Sequence, residues 1–107
     1  LKSGIPADFP KDIPQPPNST CVGSILNQTE DTTVTFSSKS KVMEIFNFYK
    51  EEMKKNSYQV EAGMEDLMND KGGMIRWTKP GKDVELMMSF NSEQNATDIV
   101  LSYKDKK

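Results

Sequence analysis

One stretch of the chain repeats its apolar residues with a helical period, and every other apolar run is too short or too strictly alternating to be a helix. Val42, Ile45, Phe46, Tyr49 and Met53 fall at i, i+3, i+4, i+7 and i+11, with Glu44, Asn47, Lys50, Glu51, Lys54 and Lys55 between them. Ser40 stands where an N-cap belongs, Glu51 and Lys55 are spaced to pair at i,i+4, and Lys54 and Lys55 suit the negative C-terminal end before Asn56 stops the helix. A chain with a single amphipathic helix must bury that stripe against something else. What remains of the sequence reads as strands.

Ser19 to Leu26 is a weak strand, a polar turn follows from Asn27 to Asp31, and Thr33-Val34-Thr35-Phe36-Ser37 alternates with Val34 and Phe36 on one face. Past the helix, Tyr58 and Val60 open a strand. Asp70-Lys71-Gly72-Gly73 then turns into Met74 to Thr78, where Ile75 and Trp77 share a face, and Pro80-Gly81 has the chemistry of a type II turn. Val84, Leu86, Met88 and Phe90 alternate through the next strand, and Ile99, Leu101 and Tyr103 mark the inner face of the last. The expectation is an α+β fold of order β-β-α-β-β-β-β, one helix on one face of an antiparallel sheet of about five to six strands.

One helix covers one face, so the other should meet solvent or a partner. Thr33, Thr35, Arg76, Glu85, Met87, Ser89, Asp98, Val100 and Ser102 fall there by alternation, polar except for Met87 and Val100. Arg76, Glu85, Met87, Ser89, Asp98, Val100 and Ser102 form the candidate partner surface.

Five of the six prolines lie in the first 17 residues, and Pro6, Pro10 and Pro14 each follow an apolar residue: Ile5, Phe9 and Ile13. Proline fixes φ, removes a donor and extends its predecessor, so this segment is polyproline II or irregular chain. Residues 1–18 therefore read as an extended arm lying on a single domain of residues 19–107. The segment Pro14-Gln15-Pro16-Pro17 could serve a proline-reading module, but the composition favours a spacer or strap.

At 107 residues there is material for one hydrophobic core. Lys plus Arg is 14 and Asp plus Glu is 16, so a net charge of -2 supplies no basic field for nucleic acid. Histidine is absent, which removes the commonest general base and the commonest metal ligand together. Cys21 is the one cysteine, so no internal disulfide and no Cys/His metal spacing can form, and it reads as a small buried residue. No run of about 18 apolar residues is present to span a membrane. The start at Leu1 points to a trimmed upstream segment such as a signal peptide.

The arm Ile5-Pro6-Ala7-Asp8-Phe9-Pro10-Lys11-Asp12-Ile13-Pro14, the strand Thr33 to Ser37 and the helix segment Val42-Met43-Glu44-Ile45-Phe46-Asn47-Phe48-Tyr49-Lys50 resemble a group of uncharacterised bacterial exported proteins and lipoproteins. The likeness implies export to the periplasm, the cell surface or beyond, a lipid anchor upstream of Leu1, and no assigned activity. This chain departs from the group just after the helix, with Asn56-Ser57-Tyr58 in place of glycine-tryptophan.

Three sharper chemistries find weaker support. Glu61, Glu65, Asp66, Asn69 and Asp70 are an acidic stretch without the ligand spacing of a calcium loop. Seven methionines could bind a soft metal, but Met43, Met53, Met64, Met68, Met74, Met87 and Met88 are scattered, which suits gap-filling in a core. No carboxylate pair can be assigned to hydrolysis. The sequons at Asn18, Asn27 and Asn95 would matter only in a eukaryotic secretory route. The sequence thus points to a non-catalytic exported domain, without a cofactor, that binds a protein or envelope component through its open sheet face. The alternatives are a homo-oligomeric structural module or a small enzyme, and the oligomeric state expected is a monomer or weak homo-oligomer.

Overall fold

A computed structural model of the chain describes residues 5, 9–27, 31–63 and 67–105. Pro6 of the arm, Gln28 and Thr29 of the second sequon, Met64, Glu65 and Asp66 lie outside the described residues. The strands are β1 (Ser19–Leu26), β2 (Thr32–Ser38), β3 (Gln59–Val60), β4 (Gly72–Lys79), β5 (Lys82–Asn91) and β6 (Ala96–Asp105), and the helix α1 (Val42–Lys55) sits between β2 and β3. They form one sheet in the order β1-β2-β6-β5-β4-β3, antiparallel at every pairing. This is the α+β architecture that the periodicities require.

The helical stripe is the core. Val42, Ile45, Phe46, Tyr49 and Met53 are all buried, and they face Val34, Phe36, Ile75, Trp77, Val84, Leu86, Met88, Ile99 and Leu101 of the sheet. Tyr49 stacks on Trp77 with ring centroids 6.1 Å apart and planes 29° apart. Burial of each such side chain contributes about 1.5–3 kcal/mol, so the shared layer carries most of the favourable free energy of folding.

Asn56 caps the helix with Lys54 and Lys55 in its last turn, as expected, whereas the N-cap and the ion pair need correction. The N-cap is Lys41, not Ser40, and the Glu44 carboxylate accepts from the Lys41 backbone N–H at 3.1 Å. Lysine has no side-chain acceptor, so only that half of a capping box exists here. Ser40 is spent one residue earlier as a joint. Its hydroxyl accepts from the Asn18 side-chain amide at 2.9 Å, and its carbonyl accepts from the Thr97 hydroxyl at 2.8 Å. At the other end Lys55 pairs with Glu52 at i,i+3 and 3.2 Å rather than with Glu51.

Of the two glycine turns, the one at Pro80-Gly81 matches its sequence reading and the one before β4 does not. Gly81 has φ +83 between the paired Lys79 and Lys82, as the third residue of a type II turn requires. The glycine pair belongs to β4 itself, because the turn closes one residue earlier with reciprocal backbone bonds between Asn69 and Gly72 at 2.9 and 3.0 Å. The strand after the helix is only Gln59–Val60, since Tyr58 turns inward and is buried. Cys21 is half-buried rather than buried, packed against the core.

The arm is strapped to the open end of the helix–sheet layer. Ile13 is buried in the core, and Phe9 meets the Phe36 and Tyr103 rings edge-on at 6.5 and 5.5 Å. The Tyr49 hydroxyl donates to the Pro14 carbonyl at 2.7 Å, Ser38 to that of Pro17 at 2.6 Å, and the Asn56 side chain to that of Asp12 at 2.9 Å. Pro14 to Pro17 is therefore engaged with its own domain. Burial keeps the Tyr49 phenol neutral by raising its pKa far above the usual range.

Asp12 is the polar anchor of the strap. One carboxylate oxygen touches the Lys79 ammonium and lies 3.1 Å from that of Lys82. Burial alone would raise its pKa, but the hydrogen bonds and charges of Lys79 and Lys82 outweigh it and hold the group below its ordinary 3.8. A carboxyl depressed in the folded state adds stability that is complete above its unfolded value and is lost as pH falls through the folded one. Stability should therefore drop as pH falls below about 3.8, and Asp12→Asn should lower it by about 1 kcal/mol at pH 7 while flattening that acid limb. Urea unfolding at pH 7 and at stepwise lower pH checks both; an equally steep acid limb in the variant would contradict the assignment.

Candidate functional site

Alternation along β2, β4, β5 and β6 sends the predicted outer residues to one face, and register sorts them into rows. Thr33, Ser102, Glu85 and Arg76 are successive partners across β2, β6, β5 and β4. One pleat further along, Thr35, Val100, Met87 and Met74 form a second row, and then Ser37, Asp98, Ser89 and Gly72 a third. At about 4.8 Å between strands, each row spans roughly 14 Å. All nine residues placed on the open face by sequence are thus brought together on it.

The rows have different chemistry. In the first, the Arg76 guanidinium pairs with Glu85 at 3.0 Å and with Glu61 at 3.2 Å, while the Thr33 and Ser102 hydroxyls are 3.1 Å apart. The hydrogen bond that Arg76 donates to Glu85 is the main cause raising the Arg76 pKa. Arg76 is therefore neutralised inside its own row. Beside it lies a shallow depression of about 210 Å³ bordered by Arg76, Glu85, Ser102 and Lys104. The middle row is apolar except for the Thr35 hydroxyl, with Met87 46% exposed and Met74 and Val100 half-buried. In the third row Asp98 is exposed and has no ion-pair partner among the described residues.

Two contributors escape a sequence reading that stops at Met87 and Val100. Met74 joins the apolar row, and strict alternation with Ile75 and Trp77 carries that signal. Ile25 of β1 stands opposite Thr33 and is 49% exposed. Its face is hidden from sequence because the register of β1 shifts at a bulge between Cys21 and Gly23, which inverts parity from there on.

The other candidate chemistries disperse. Glu61 is taken by Arg76, and Asp70 is exposed in a turn. Met53, Met68 and Met88 are buried in the core, and Met43 packs against it. Among the described residues no three His, Cys, Asp or Glu side chains gather as metal ligands, and no described helix is long and apolar enough to cross a membrane.

Comparison with known proteins yields one match. A family model described as START domain-like matches residues 21–104, from the edge strand to the end of the last strand and leaving out the arm. Neither a curated protein nor a solved structure matches the chain.

Proposed function

The chain belongs to the START domain-like family, and from that premise we propose that it is a non-catalytic binding domain, exported to the cell envelope, that engages a protein partner through the open face of its sheet. Membership accords with a ligand-binding role without naming the ligand. One observation carries the choice of surface: Met74, Met87, Val100 and Thr35 stand in a single register row across four adjacent strands. The opposite face supports the same choice, because Ile45, Tyr49, Met53, Ile75, Leu86, Ile99 and Leu101 are all fully buried between helix and sheet. Close-packed side chains of that kind leave no space for a guest without displacement.

The face also has a polarity. Arg76 is neutralised by Glu61 and Glu85, whereas Asp98 is open, so the complementary partner presents an apolar ridge flanked by a basic residue on the Asp98 side. The exported setting is supported by the likeness of the arm and helix to exported proteins. The non-catalytic reading is supported by a composition with no histidine and one cysteine.

Met87→Asp should reduce partner retention about tenfold or more with the fold intact, because it places an unpaired charge at the centre of a desolvated contact. Asp98→Lys should reduce it by opposing like charges. Both are read by affinity purification from the source cells beside a circular dichroism spectrum. Retention unchanged in both folded variants would end the reading.

A second reading, self-association, has its own observation. Val22, Ile25 and Leu26 on the free edge strand β1 are 53%, 49% and 72% exposed, and an apolar edge can pair with a copy of itself. Light scattering at high concentration separates the two, since a mass held at 12.1 kDa would remove self-association.

A further inference from the structure

Methionine is abundant in this chain, and gap-filling in the core accounts for only part of it. Met53, Met68 and Met88 are buried in the core and Met43 packs against it, where an unbranched, adaptable side chain fills irregular space. Met74 and Met87 are placed differently. They are direct partners in the antiparallel register of β4 and β5, on the open face of the sheet. Met74 is half-buried against the core cluster, whereas Met87 is 46% exposed and has no gap to fill. Register thus brings together two thioethers that stand 13 positions apart in the sequence.

The spacing of such a pair suits a metal ion. Residues directly opposite on antiparallel strands have Cβ atoms about 4.5–5.5 Å apart, and each sulfur lies two bonds beyond its Cβ. A metal–sulfur bond is about 2.3 Å long, so an ion held in line between two sulfurs needs them about 4.6 Å apart. The strand pairing supplies that span without distortion. Thioethers are soft, neutral donors, which select copper(I) over zinc, calcium or magnesium. The neighbouring rows suit a single positive charge. Arg76 on one side is neutralised by Glu61 and Glu85. On the other side Asp98 is exposed, makes no ion pair among the described residues and stands diagonal to Met87 at about 7–8 Å. A carboxylate there balances the ion from outside its coordination shell.

We propose that Met74 and Met87 hold one copper(I) ion between their thioether sulfurs on the open face of the sheet. The half-buried Met74 is the fixed ligand, and the exposed Met87, with its rotatable side chain, closes on the ion. This site does not rest on partner docking. It is a property of the isolated chain and is read without a partner, so either assignment can fail alone.

Silver(I), equal in charge and softness but stable in air, is the probe, titrated into the full chain with carbon-13-labelled methionine methyl groups. Cys21 is the one thiol, on β1 at the opposite edge of the sheet from β4, and Cys21→Ala keeps it from competing. The methyl signals of Met74 and Met87 should shift together and saturate at one ion per chain, while those of Met43, Met53, Met68 and Met88 stay in place. In the native chain the thiol takes the first equivalent and the methionine pair the second, which keeps the test decisive if Cys21→Ala fails to fold. Met74→Leu and Met87→Leu conserve volume and should each weaken binding about tenfold or more, whereas Met43→Leu should leave it unchanged. Copper(I) under anaerobic, reducing conditions, in competition with bicinchoninate, should rank the variants in the same order. No saturable shift below about 1 mM silver(I), a shift of only one of the two methyl signals, or binding that survives both leucine substitutions would overturn the proposal.

Discussion

Gly72→Ala is expected to lower stability by about 3 kcal/mol or more, the largest effect of any single methyl added to this chain. The backbone there holds φ +137, and a Cβ would stand 2.1 Å from the Met88 carbonyl oxygen and 2.9 Å from its carbon. Met88 lies in the middle of β5, paired on both sides, so its backbone cannot retreat without breaking the ladder. Gly81→Ala supplies the control. It has φ +83 but nothing within 4 Å of a Cβ, so it carries conformational strain without a clash and should cost about 1 kcal/mol. Denaturant unfolding of the two variants separates the terms, and equal losses would show that contact with β5 contributes nothing.

Ile13→Ala is expected to destabilise the domain by about 2–4 kcal/mol, lowering its midpoint by roughly 8–15 °C. This residue precedes every strand and lies outside the region matched by the family, yet it is 3% exposed in the same cluster as Tyr49 and Trp77. Removing its side chain leaves a cavity under the strap, where the Tyr49 hydroxyl bond to Pro14 fixes the chain. A change below about 0.5 kcal/mol by thermal melting would make the arm a loosely adhering tail instead.

These two residues also mark where sequence stops being informative. Alternation and helical period place Val34, Phe36, Ile45, Tyr49, Ile75, Trp77, Leu86, Ile99 and Leu101 in the core because burial acts on each side chain separately and repeats along the chain. Ile13 carries only a weaker signal, an apolar residue before a proline, and its depth depends on a gap left by elements far away in sequence. The cap shows the same limit. Ser40 has the right chemistry for an N-cap, but its hydroxyl and carbonyl are claimed by Asn18 and Thr97, 22 and 57 residues distant. Lys55 could pair with Glu51 or Glu52 by spacing, and the side-chain geometry favours the shorter interval. On the open face, period two assigns each residue its side, whereas only the register reveals that Met74, Met87 and Val100 touch one line. The bulge in β1 removes Ile25 from any such reading.

The same separation governs function. Composition bears on chemistry, since a chain without histidine and with one cysteine offers few familiar nucleophile and base pairs. A binding surface is a property of neighbours and emerges only with the sheet assembled. The apolar row and the open Asp98 come together only there.

Photocrosslinking from Met87 tests the central claim most directly. A benzophenone side chain placed at Met87, in the middle of the apolar row, is compared with one at Asn47 on the exposed side of the helix, each expressed in the source cells. The open-face account predicts one discrete crosslinked product from Met87, lost when Asp98→Lys is added, and none from Asn47. Crosslinking from Asn47 with none from Met87 would contradict it.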